Sequence, residues 1–189
     1  MTLIEDKTFQ KIDFQKESIE ISEYEYCRFE HCNFEATVLN GIKFIDCKFE
    51  NCNLSLAKIE NTMFQDCKFT NCKILGLQFH TANLFNIGFS FEESILDHCS
   101  FAGLKINKTK FKSCRMHEVD FESTELKEAI FDNCDLQRAT FYQSNLEKAD
   151  FSTAYNFQLD LEANRVAGAK FSVQSLPNLL TKYKLRISS

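Results

Sequence analysis

Nine cysteines and four histidines are the side chains of this sequence best suited to bind a metal or to act as nucleophiles and bases. The cysteines follow a C-x4-C spacing, which is not the usual spacing of zinc ligands, and no histidine accompanies them in the pattern. The cysteines are Cys27, Cys32, Cys47, Cys52, Cys67, Cys72, Cys99, Cys114 and Cys134, and the histidines are His31, His80, His98 and His117. We therefore expect reduced, buried, metal-free thiols and solvent-exposed histidines.

Groups that would hold a cofactor or catalyse a reaction do not form a recognisable pattern. The glycines are isolated and make no phosphate-binding loop. The carboxylates do not converge on one pocket, because the repeat described below predicts a filled core. The sequence therefore predicts a protein that is not an enzyme and that has no cofactor and no metal site.

Length and composition predict one globular domain. The chain has 189 residues, 44% of them hydrophobic, and a net charge of -5. This negative charge argues against direct binding of nucleic acid. The opening segment MTLIEDKTFQ has no apolar export signal, and no stretch reaches the ~18 apolar residues of a membrane span. We expect a cytoplasmic protein without membrane association, in which thiols stay reduced.

A large apolar residue recurs every five residues along most of the chain. The series runs from Phe9 to Phe89 and includes Leu84, slips by two residues within IGFSFEES, and resumes from Leu96 to Phe151. We call these residues the centres of five-residue units, and every cysteine stands two positions before a centre. Residues two apart in an extended chain point to the same side, so the centre and this minus-two residue both face inward. The slip predicts a bulge near residues 88–92.

Cysteines that recur at twenty residues indicate how the units are arranged. Cys27, Cys47 and Cys67 form one such series, so four units make one coil with four sides. A five-residue unit does not fit an α-helix, whose 3.6 residues per turn would spread the apolar positions around its whole surface. Coils stacked at ~4.8 Å place like residues over like.

Stacked coils predict columns of aromatic side chains in the interior. One column is expected to contain Phe9, Phe29, Phe49, Phe69, Phe89, Phe111, Phe131 and Phe151, and the column facing it Phe79, Phe101, Phe121 and Phe141. The other three positions of each unit face solvent. We therefore expect an outward change such as Asn71→Ala to be nearly neutral.

The segment from Cys134 to Thr153 reads CDLQR, ATFYQ, SNLEK and ADFST, and it resembles the A(D/N)LXX unit of the pentapeptide-repeat family. The resemblance covers nearly the whole chain and implies an all-β fold, a right-handed quadrilateral β-helix. We expect this β-helix in residues 1–155, followed in residues 156–189 by a final irregular coil and a short C-terminal helix that caps it.

The tail TAYNFQLDLEANRVAGAKFSVQSLPNLLTKYKLRI resembles the C-terminal segment of the subgroup that contains quinolone-resistance and microcin-immunity proteins. Members of that subgroup protect DNA gyrase, and the best-known members are dimers that imitate the shape and charge of duplex DNA. The resemblance therefore implies a homodimer that interacts with DNA gyrase or another topoisomerase and protects it from quinolones or toxins.

Outward acidic side chains are the candidates for contacting such a partner. The chain has 27 acidic and 22 basic residues, and Arg28, Lys48 and Lys68 are expected to stack on the same side as Glu30 and Glu50. The sequence therefore predicts a surface that is acidic in places and not along its whole length. The candidate partner-facing acids are Asp120, Glu122, Asp132, Asp135, Asp150, Asp160 and Glu162. The alternative is that these acids only keep the rod soluble.

The end of the solenoid needs a cap, because a last coil exposes unpaired backbone groups and the open end of its core. The segment SLPNLLTKY predicts a short helix with Ser175 as N-cap and Pro177 in its first turn. The predicted dimer interface consists of Leu176, Leu179, Leu180, Tyr183, Leu185 and Ile187, the last two alternating as in a strand. A monomer whose helix folds back on the coil is the alternative.

Two functional hypotheses from different classes result. The first is a non-enzymatic DNA mimic that binds gyrase, and the tail favours it. The second is a β-solenoid scaffold that binds another protein and has no gyrase role. The mixed charge and the absence of long protruding loops favour the second.

Overall fold

The computed structural model describes residues 2–186 and shows a parallel β-solenoid of about eight coils. Every strand pair is parallel, and partners such as Phe29 and Phe49 lie twenty residues apart except across one insertion. The strands contain two to four residues each, as expected for the short sides of a coil. The chain therefore completes one turn of the solenoid with four units of the repeat.

Short strands build two of the four sides in the described part of the chain. They are β1 Leu3–Glu5, β2 Thr8–Gln10, β3 Glu23–Glu25, β4 Arg28–Glu30, β5 Lys43–Ile45, β6 Lys48–Glu50, β7 Met63–Gln65, β8 Cys67–Thr70, β9 Phe89–Glu92, β10 Lys110–Lys112, β11 Ile130–Asp132, β12 Asp150–Phe151 and β13 Lys170–Phe171. One sheet has the order β1-β3-β5-β7, and the other β13-β12-β11-β10-β9-β8-β6-β4-β2. The helical elements are 3-10 turns at Phe79–Thr81, Val173–Ser175 and Thr181–Tyr183, and α1 Leu176–Leu179.

We name the four sides by the sequence order of their units. Face A carries the nine-stranded sheet, and face D carries the four-stranded sheet. Face B follows face A along the chain and includes the bridge between Asn33 and Asn53, and face C follows face B and includes the bridge between Ser100 and Asp120. Faces A and C lie opposite each other, because a coil passes from A through B to C. Faces B and C are joined from coil to coil by single bridges rather than by strands.

The chain turns most corners through a residue in the left-handed backbone region, two positions after a centre. Asn51 has a φ of 56°, Asn71 of 51° and Gly76 of 67°. The Asn71 N–H donates to the Glu92 carbonyl oxygen of the next coil at 2.9 Å. Left-handed backbone is costly for residues with a Cβ, although asparagine tolerates it better than most. The expectation that Asn71→Ala is nearly neutral is therefore corrected: Asn71 is outward, but its backbone restricts the substitution.

Aromatic columns fill the interior as predicted. On face A the rings of Phe29 and Phe49 stack with centroids 4.9 Å apart, and those of Phe49 and Phe69 with centroids 4.8 Å apart. Phe101 of the opposite column contacts Phe111 edge to face at 6.0 Å. Offset stacks along the axis and edge contacts across it are both favoured arrangements of aromatic rings. The two columns thus fill the interior between faces A and C.

Phe91, and not Phe89, continues the aromatic column of face A. The ladder pairs Phe69 with Phe91 and Cys67 with Phe89. The ring of Phe91 stacks on Phe69 at 5.1 Å and on Phe111 at 5.5 Å. Phe89 is buried in the minus-two position, where the coil below has Cys67. The prediction that Phe89 belongs to this column is wrong because either phenylalanine of IGFSFEES satisfies the apolar pattern.

Two additional residues lie in the segment 84–88, before the strand in which the bulge was predicted. The bridge from Met63 to Asn83 keeps the twenty-residue step, whereas Cys67 pairs with Phe89 two residues later than that step. Residues 89–92 form the regular strand β9. Leu84 was predicted to be a core centre, but 53% of its surface is exposed. The position 88–92 is therefore corrected to 84–88.

Minus-two side chains donate hydrogen bonds to the main chain of the coil below. The Cys47 Sγ lies 3.2 Å from the Tyr24 carbonyl oxygen, and the Thr124 Oγ1 lies 3.0 Å from the Phe101 carbonyl oxygen. Donor and acceptor stand 23 residues apart in both cases. All nine cysteines are free and buried, as predicted for this slot. Burial raises the pKa of the Cys47 thiol to about 12.

The C-terminal helix forms, but it is shorter than predicted and has a different cap. Helix α1 is a single turn with Pro177 at its start. The Ser172 side chain, rather than that of Ser175, accepts a backbone N–H, and the Ser175 hydroxyl instead donates to the Ser172 carbonyl oxygen at 2.9 Å. The face A ladder reaches Phe171 in β13, past residue 155. The division of the chain at residue 155 stays a prediction.

The predicted apolar stripe of the tail is split by this geometry. Leu179 is 7% exposed and belongs to the core, whereas Leu176, Tyr183 and Leu185 are 46%, 50% and 59% exposed. Leu180 is half-buried. Ile187 lies outside the described residues, and Leu185 is in no regular strand. The strand-like alternation predicted there is not found in the part that the structure describes.

We expect Phe69→Ala to lower the free energy of unfolding by about 3 to 5 kcal/mol, because the substitution opens a cavity in a stacked column. Asn71→Ala should lower it by about 1 kcal/mol, since alanine is strained in the left-handed region, and Asn71→Gly should be tolerated better. Urea melts of the purified variants measure each change.

Lys58→Ala serves as the control, because Lys58 is exposed and makes no ion pair with any residue of 2–186. The register would be refuted if Phe69→Ala and Lys58→Ala shifted the urea midpoint equally.

We expect the thiols to be reduced and to react slowly in the native protein. Burial raises the pKa of the Cys67 and Cys99 thiols, so little nucleophilic thiolate is present at neutral pH. The Cys134 thiol lowers the pKa of Cys114 by a hydrogen bond, but Cys114 is only 2% exposed. Thiol counting before and after denaturation, together with elemental analysis, checks this. Rapid labelling of most thiols in the native state, or stoichiometric zinc, would contradict it.

Candidate functional site

Recognition by this protein has to use its outer surface, because the aromatic columns fill the interior. A depression of about 330 Å³ opens on face A beside Ser90, with Lys68 and Lys110 at its rim. Another, of about 400 Å³, lies near the tail between Gln137 and Asn178. The first recess is lined by outward side chains and by core phenylalanines, and it contains two carboxylates besides the Ser90 hydroxyl. Among residues 2–186 that hydroxyl makes no hydrogen bond to a carboxylate, so no nucleophile–base pair is formed there.

Charge is distributed differently on opposite faces. On face A, Arg28, Lys48 and Lys68 stack in one column beside Glu30 and Glu50, as predicted. On face C, the charged outward side chains between residues 100 and 162 are all acidic, and the other outward side chains there are uncharged. Their acids are Asp120, Glu122, Asp160 and Glu162. Face C is therefore the most uniformly acidic surface of the second half.

The predicted partner-facing acids do not form one surface. Asp132 and Asp150 lie on face A, Asp135 lies on face B, and the other four lie on face C. Asp150 pairs with Lys170 at 3.4 Å, and Asp135 pairs with His117 at 2.9 Å. Within residues 2–186, Asp120, Glu122 and Asp132 have no basic side chain at ion-pair distance. These three keep an unpaired negative charge.

The tail of the chain covers the acids at the end of face C. Lys182 Nζ lies 3.0 Å from both carboxylate oxygens of Asp160 and also bonds Glu162. The Tyr183 hydroxyl donates to Glu162 at 2.7 Å. The hydrogen bonds from Lys182 hold the pKa of Asp160 and of Glu162 below their usual values. Lys182 therefore satisfies these two acids within the chain.

A polar network on face B was not predicted from the sequence. Asp97 is only 8% exposed, and it accepts from Arg115 Nε at 2.9 Å and from the His117 N–H at 3.1 Å. His117 in turn lies 2.9 Å from Asp135, which also accepts from Asn156 at 2.9 Å. Burial would raise the pKa of Asp135, but the hydrogen bonds from His117 and Asn156 outweigh it and hold the pKa below its usual value. The network joins successive coils.

His117 is the exception to the prediction that the histidines are solvated. His31, His80 and His98 are exposed, whereas the His117 side chain is half-buried by its contact with Asp135. A spacing of 18 residues relates Asp97 to Arg115 and His117 to Asp135. In each pair, the first residue directly follows the centre of one unit, and the second directly precedes the centre of the unit stacked on it in the next coil. This spacing is the signal that could have revealed the network.

The insertion at residues 84–88 exposes two apolar side chains. Leu84 and Phe85 are 53% and 68% exposed. The Phe85 N–H donates to the Asn83 Oδ1 at 2.9 Å, which shapes the start of the loop. Exposed aromatic residues of this kind are common in protein–protein interfaces. The sequence missed them because Leu84 fits the five-residue series.

Metal clusters and membrane-spanning helices are both missing from the residues that the structure describes. Among residues 2–186, no three or more His, Cys, Asp and Glu side chains are grouped so as to hold a metal ion. In the same part of the chain, no helix has the length and apolar character needed to cross a membrane.

Solved structures with the same fold include two proteins of different biology. QnrB1, a plasmid-mediated fluoroquinolone resistance protein studied as a trypsin-treated variant, matches with a TM-score of 0.74 and 17% identity, over 99% of this chain and 92% of that one. HetL, involved in heterocyst differentiation regulation in the cyanobacterium Nostoc sp. strain PCC 7120, matches with a TM-score of 0.72 and 13% identity, over 92% of this chain and 88% of that one. The right-handed quadrilateral β-helix expected from the sequence is confirmed.

A family model describes the repeat itself. No curated protein sequence matches this chain. The model described as "Pentapeptide repeat region" matches residues 22–90 and 86–151, which is more than half of the chain. The matched ranges overlap at the insertion, where the five-residue series changes phase. The chain therefore belongs to the pentapeptide repeat family.

Proposed function

We propose that this chain is a non-enzymatic, protein-binding β-solenoid and that face C contacts its partner. The observation that carries the proposal is the pair Asp120 and Glu122, which has no basic partner within residues 2–186 and no Lys or Arg on its face between residues 100 and 162. Pentapeptide repeat proteins are generally structural or interaction proteins. Acidic surfaces of this kind attract cationic protein surfaces and speed their association.

DNA gyrase, or another topoisomerase, is the partner that we propose to test first. A surface that binds DNA is cationic, because it neutralises phosphates with lysine and arginine. The acids of face C are complementary to such a surface. The resemblance of the tail to the gyrase-protecting subgroup supports the same partner. Protection of gyrase from a quinolone or a toxin would be the biological result.

The imitation of DNA would be local. The coil of Asp120 and that of Asp160 are two steps apart, or about 10 Å, a length over which duplex DNA carries about six charges. Face C offers Asp120, Glu122, Asp160 and Glu162 there, and Lys182 bonds the last two. A short acidic patch rather than a full duplex surface is therefore presented.

A scaffold without a gyrase role is the alternative. The exposed pair Leu84 and Phe85 favours it, because an apolar loop suits contact with a protein that does not bind DNA. The similarity to HetL shows that this fold also occurs in a protein involved in heterocyst differentiation regulation. In this case face C would be only one part of a surface that holds another protein.

We expect the double variant Asp120→Lys/Glu122→Lys to weaken binding to gyrase by about tenfold, because both acids are outward and have no ion pair within residues 2–186. The melting temperature should fall only slightly, because the variant loses the bonds that Asp120 accepts from the Ser100 hydroxyl at 3.3 Å and from the Glu122 N–H at 2.9 Å. A supercoiling assay with and without a fluoroquinolone, together with a direct binding titration, measures the effect. Asp135 is unsuited to this test, since its hydrogen bonds to His117 and Asn156 join two coils.

Glu5→Lys/Glu25→Lys on face D is the matched control, because it changes the net charge equally on another side of the rod. The gyrase proposal fails if the parent protein neither binds nor protects gyrase, and the assignment of face C fails if both double variants weaken binding alike.

We also propose that the chain forms a homodimer through its C-terminal segment. Leu176, Tyr183 and Leu185 are exposed around a helix that is already anchored by Leu179. Val173 adds a side chain that is 78% exposed. Two-fold pairing of this surface would bury these apolar groups in both copies.

Sedimentation equilibrium at micromolar concentration should give a dimer for the parent chain and a monomer for Leu176→Asp/Leu185→Asp. The charged side chains would be buried without partners in a dimer, whereas they are solvated in a monomer. Val38→Asp/Leu56→Asp is the control, because these side chains are 56% and 61% exposed elsewhere on the rod. A monomeric parent, or a dimer that survives the tail substitutions, would contradict the proposed interface.

A further inference from the structure

Face A has a gap in a row of long cationic side chains. The outward position before the centre is Lys48 in one coil, Lys68 in the next, Ser90 in the third and Lys110 in the fourth. The short side chain of Ser90 leaves the depression of about 330 Å³ between Lys68 and Lys110. An adjoining recess of about 380 Å³ shares Lys68, Ser90 and Lys110 and is also lined by Asp46 and Asp66. The gap is therefore bordered by ammonium groups above and below.

The three lysines of this row form no ion pair within the described part of the chain. Lys48 and Lys68 are direct neighbours in the parallel ladder, an arrangement in which like charges repel. Neither of them, nor Lys110, has a carboxylate at ion-pair distance among the residues that the structure describes. Lys112 of the neighbouring column, by contrast, pairs with Glu92 at 2.6 Å. An anionic ligand would relieve the repulsion in the lysine row.

We propose that this lysine row and the Ser90 depression bind an acidic α-helix of a partner protein, laid along the solenoid axis. Successive coils repeat at about 4.8 Å, and successive turns of an α-helix at about 5.4 Å. One glutamate or aspartate per helical turn therefore faces one coil. From Lys48 to Lys110, three coils cover about 14 Å and three helical turns about 16 Å, a difference that flexible lysine side chains accommodate.

The depression takes an apolar side chain of the same helix. Its lining includes Ile130, which is 38% exposed, and the core phenylalanines Phe69, Phe91 and Phe111. An aliphatic residue between two acidic turns would enter above Ser90. The acids set the orientation of the helix, and the apolar anchor sets its register along the rod.

Charge spacing favours an acidic helix over nucleic acid. Glu30, Glu50 and Glu92 stand in the next column, and Asp132 closes the far side of the depression. A continuous phosphate backbone would be repelled by this column, whereas a helix carries its acids in one stripe and avoids it. Face A lies opposite face C, so this inference does not depend on the proposed gyrase contact.

The test is a fluorescence-anisotropy titration of a labelled helical peptide with one glutamate per turn on one face and a leucine between two of them. The full chain should bind it saturably, and added salt should weaken binding. Lys68→Glu/Lys110→Glu should weaken binding by about tenfold or more. Ser90→Leu should weaken it severalfold by filling the depression. Lys58→Glu/Lys105→Glu, at equivalent positions on faces C and D, should have no effect.

Equal binding of a peptide with the same composition but scattered glutamates would overturn the proposed geometry. Tighter binding of a short single-stranded oligonucleotide would assign the surface to nucleic acid instead. Sedimentation in which Lys68→Glu/Lys110→Glu dissociates an oligomer would assign it to a second copy of this chain. If Ser90→Leu lowers the melting temperature, the test rests on Lys68→Glu/Lys110→Glu alone. The proposal is refuted if that variant binds the peptide as tightly as the parent chain does.

Discussion

Parallel backbone hydrogen bonds between successive coils are the interaction on which this structure depends. Each coil bonds both neighbours: the Lys48 N–H donates to the Cys27 carbonyl oxygen below at 2.9 Å, and the Asn51 N–H donates to the Thr70 carbonyl oxygen above at 3.0 Å. These bonds fix the step of twenty residues, and the step places phenylalanine over phenylalanine. They also hold many corner residues in left-handed conformations that would be unfavourable in a free chain. The same register stacks lysine on lysine at the surface.

Interior periodicity was predictable, and so was the presence of a two-residue phase change, but the exact place of that change was not. The column of Phe29, Phe49 and Phe69 follows from a period that no helix or ordinary strand produces. At the insertion, both Phe89 and Phe91 are apolar, and the choice depends on which ring stacks between the neighbouring coils. The corner conformation had a signal in the sequence: Gly41 and Gly76 occupy the same corner position of their units, with φ of 75° and 67°. Because these glycines are isolated in the sequence, that signal is easily overlooked.

The sequence could predict that the candidate site residues face solvent, but it could not predict which side chains of the same chain pair with them. The repeat places Asp120 and Asp160 on the outside without ambiguity. Whether an acid is paired depends on the side chains of the next coil, as for Asp135 with His117, or on the path of the tail, as for Asp160 with Lys182. The tail leaves the repeat, so no periodicity specifies where Lys182 lies. Leu179 was likewise assigned to a dimer surface because its burial against the last coil is a tertiary contact.

Because each coil has four sides, the length of an insertion or deletion determines how far the following residues rotate about the solenoid axis. Removal of twenty residues shortens the rod by one coil and leaves every later side chain on its original face. Removal of a single five-residue unit rotates everything that follows by a quarter turn about the axis, and the acids now on face C would then point where face B points. The segment 84–88 avoids this rotation because its two extra residues leave the rod as a loop and the next strand returns to face A. In such a fold, a change in chain length at one point determines which way a binding surface many coils away faces about the solenoid axis.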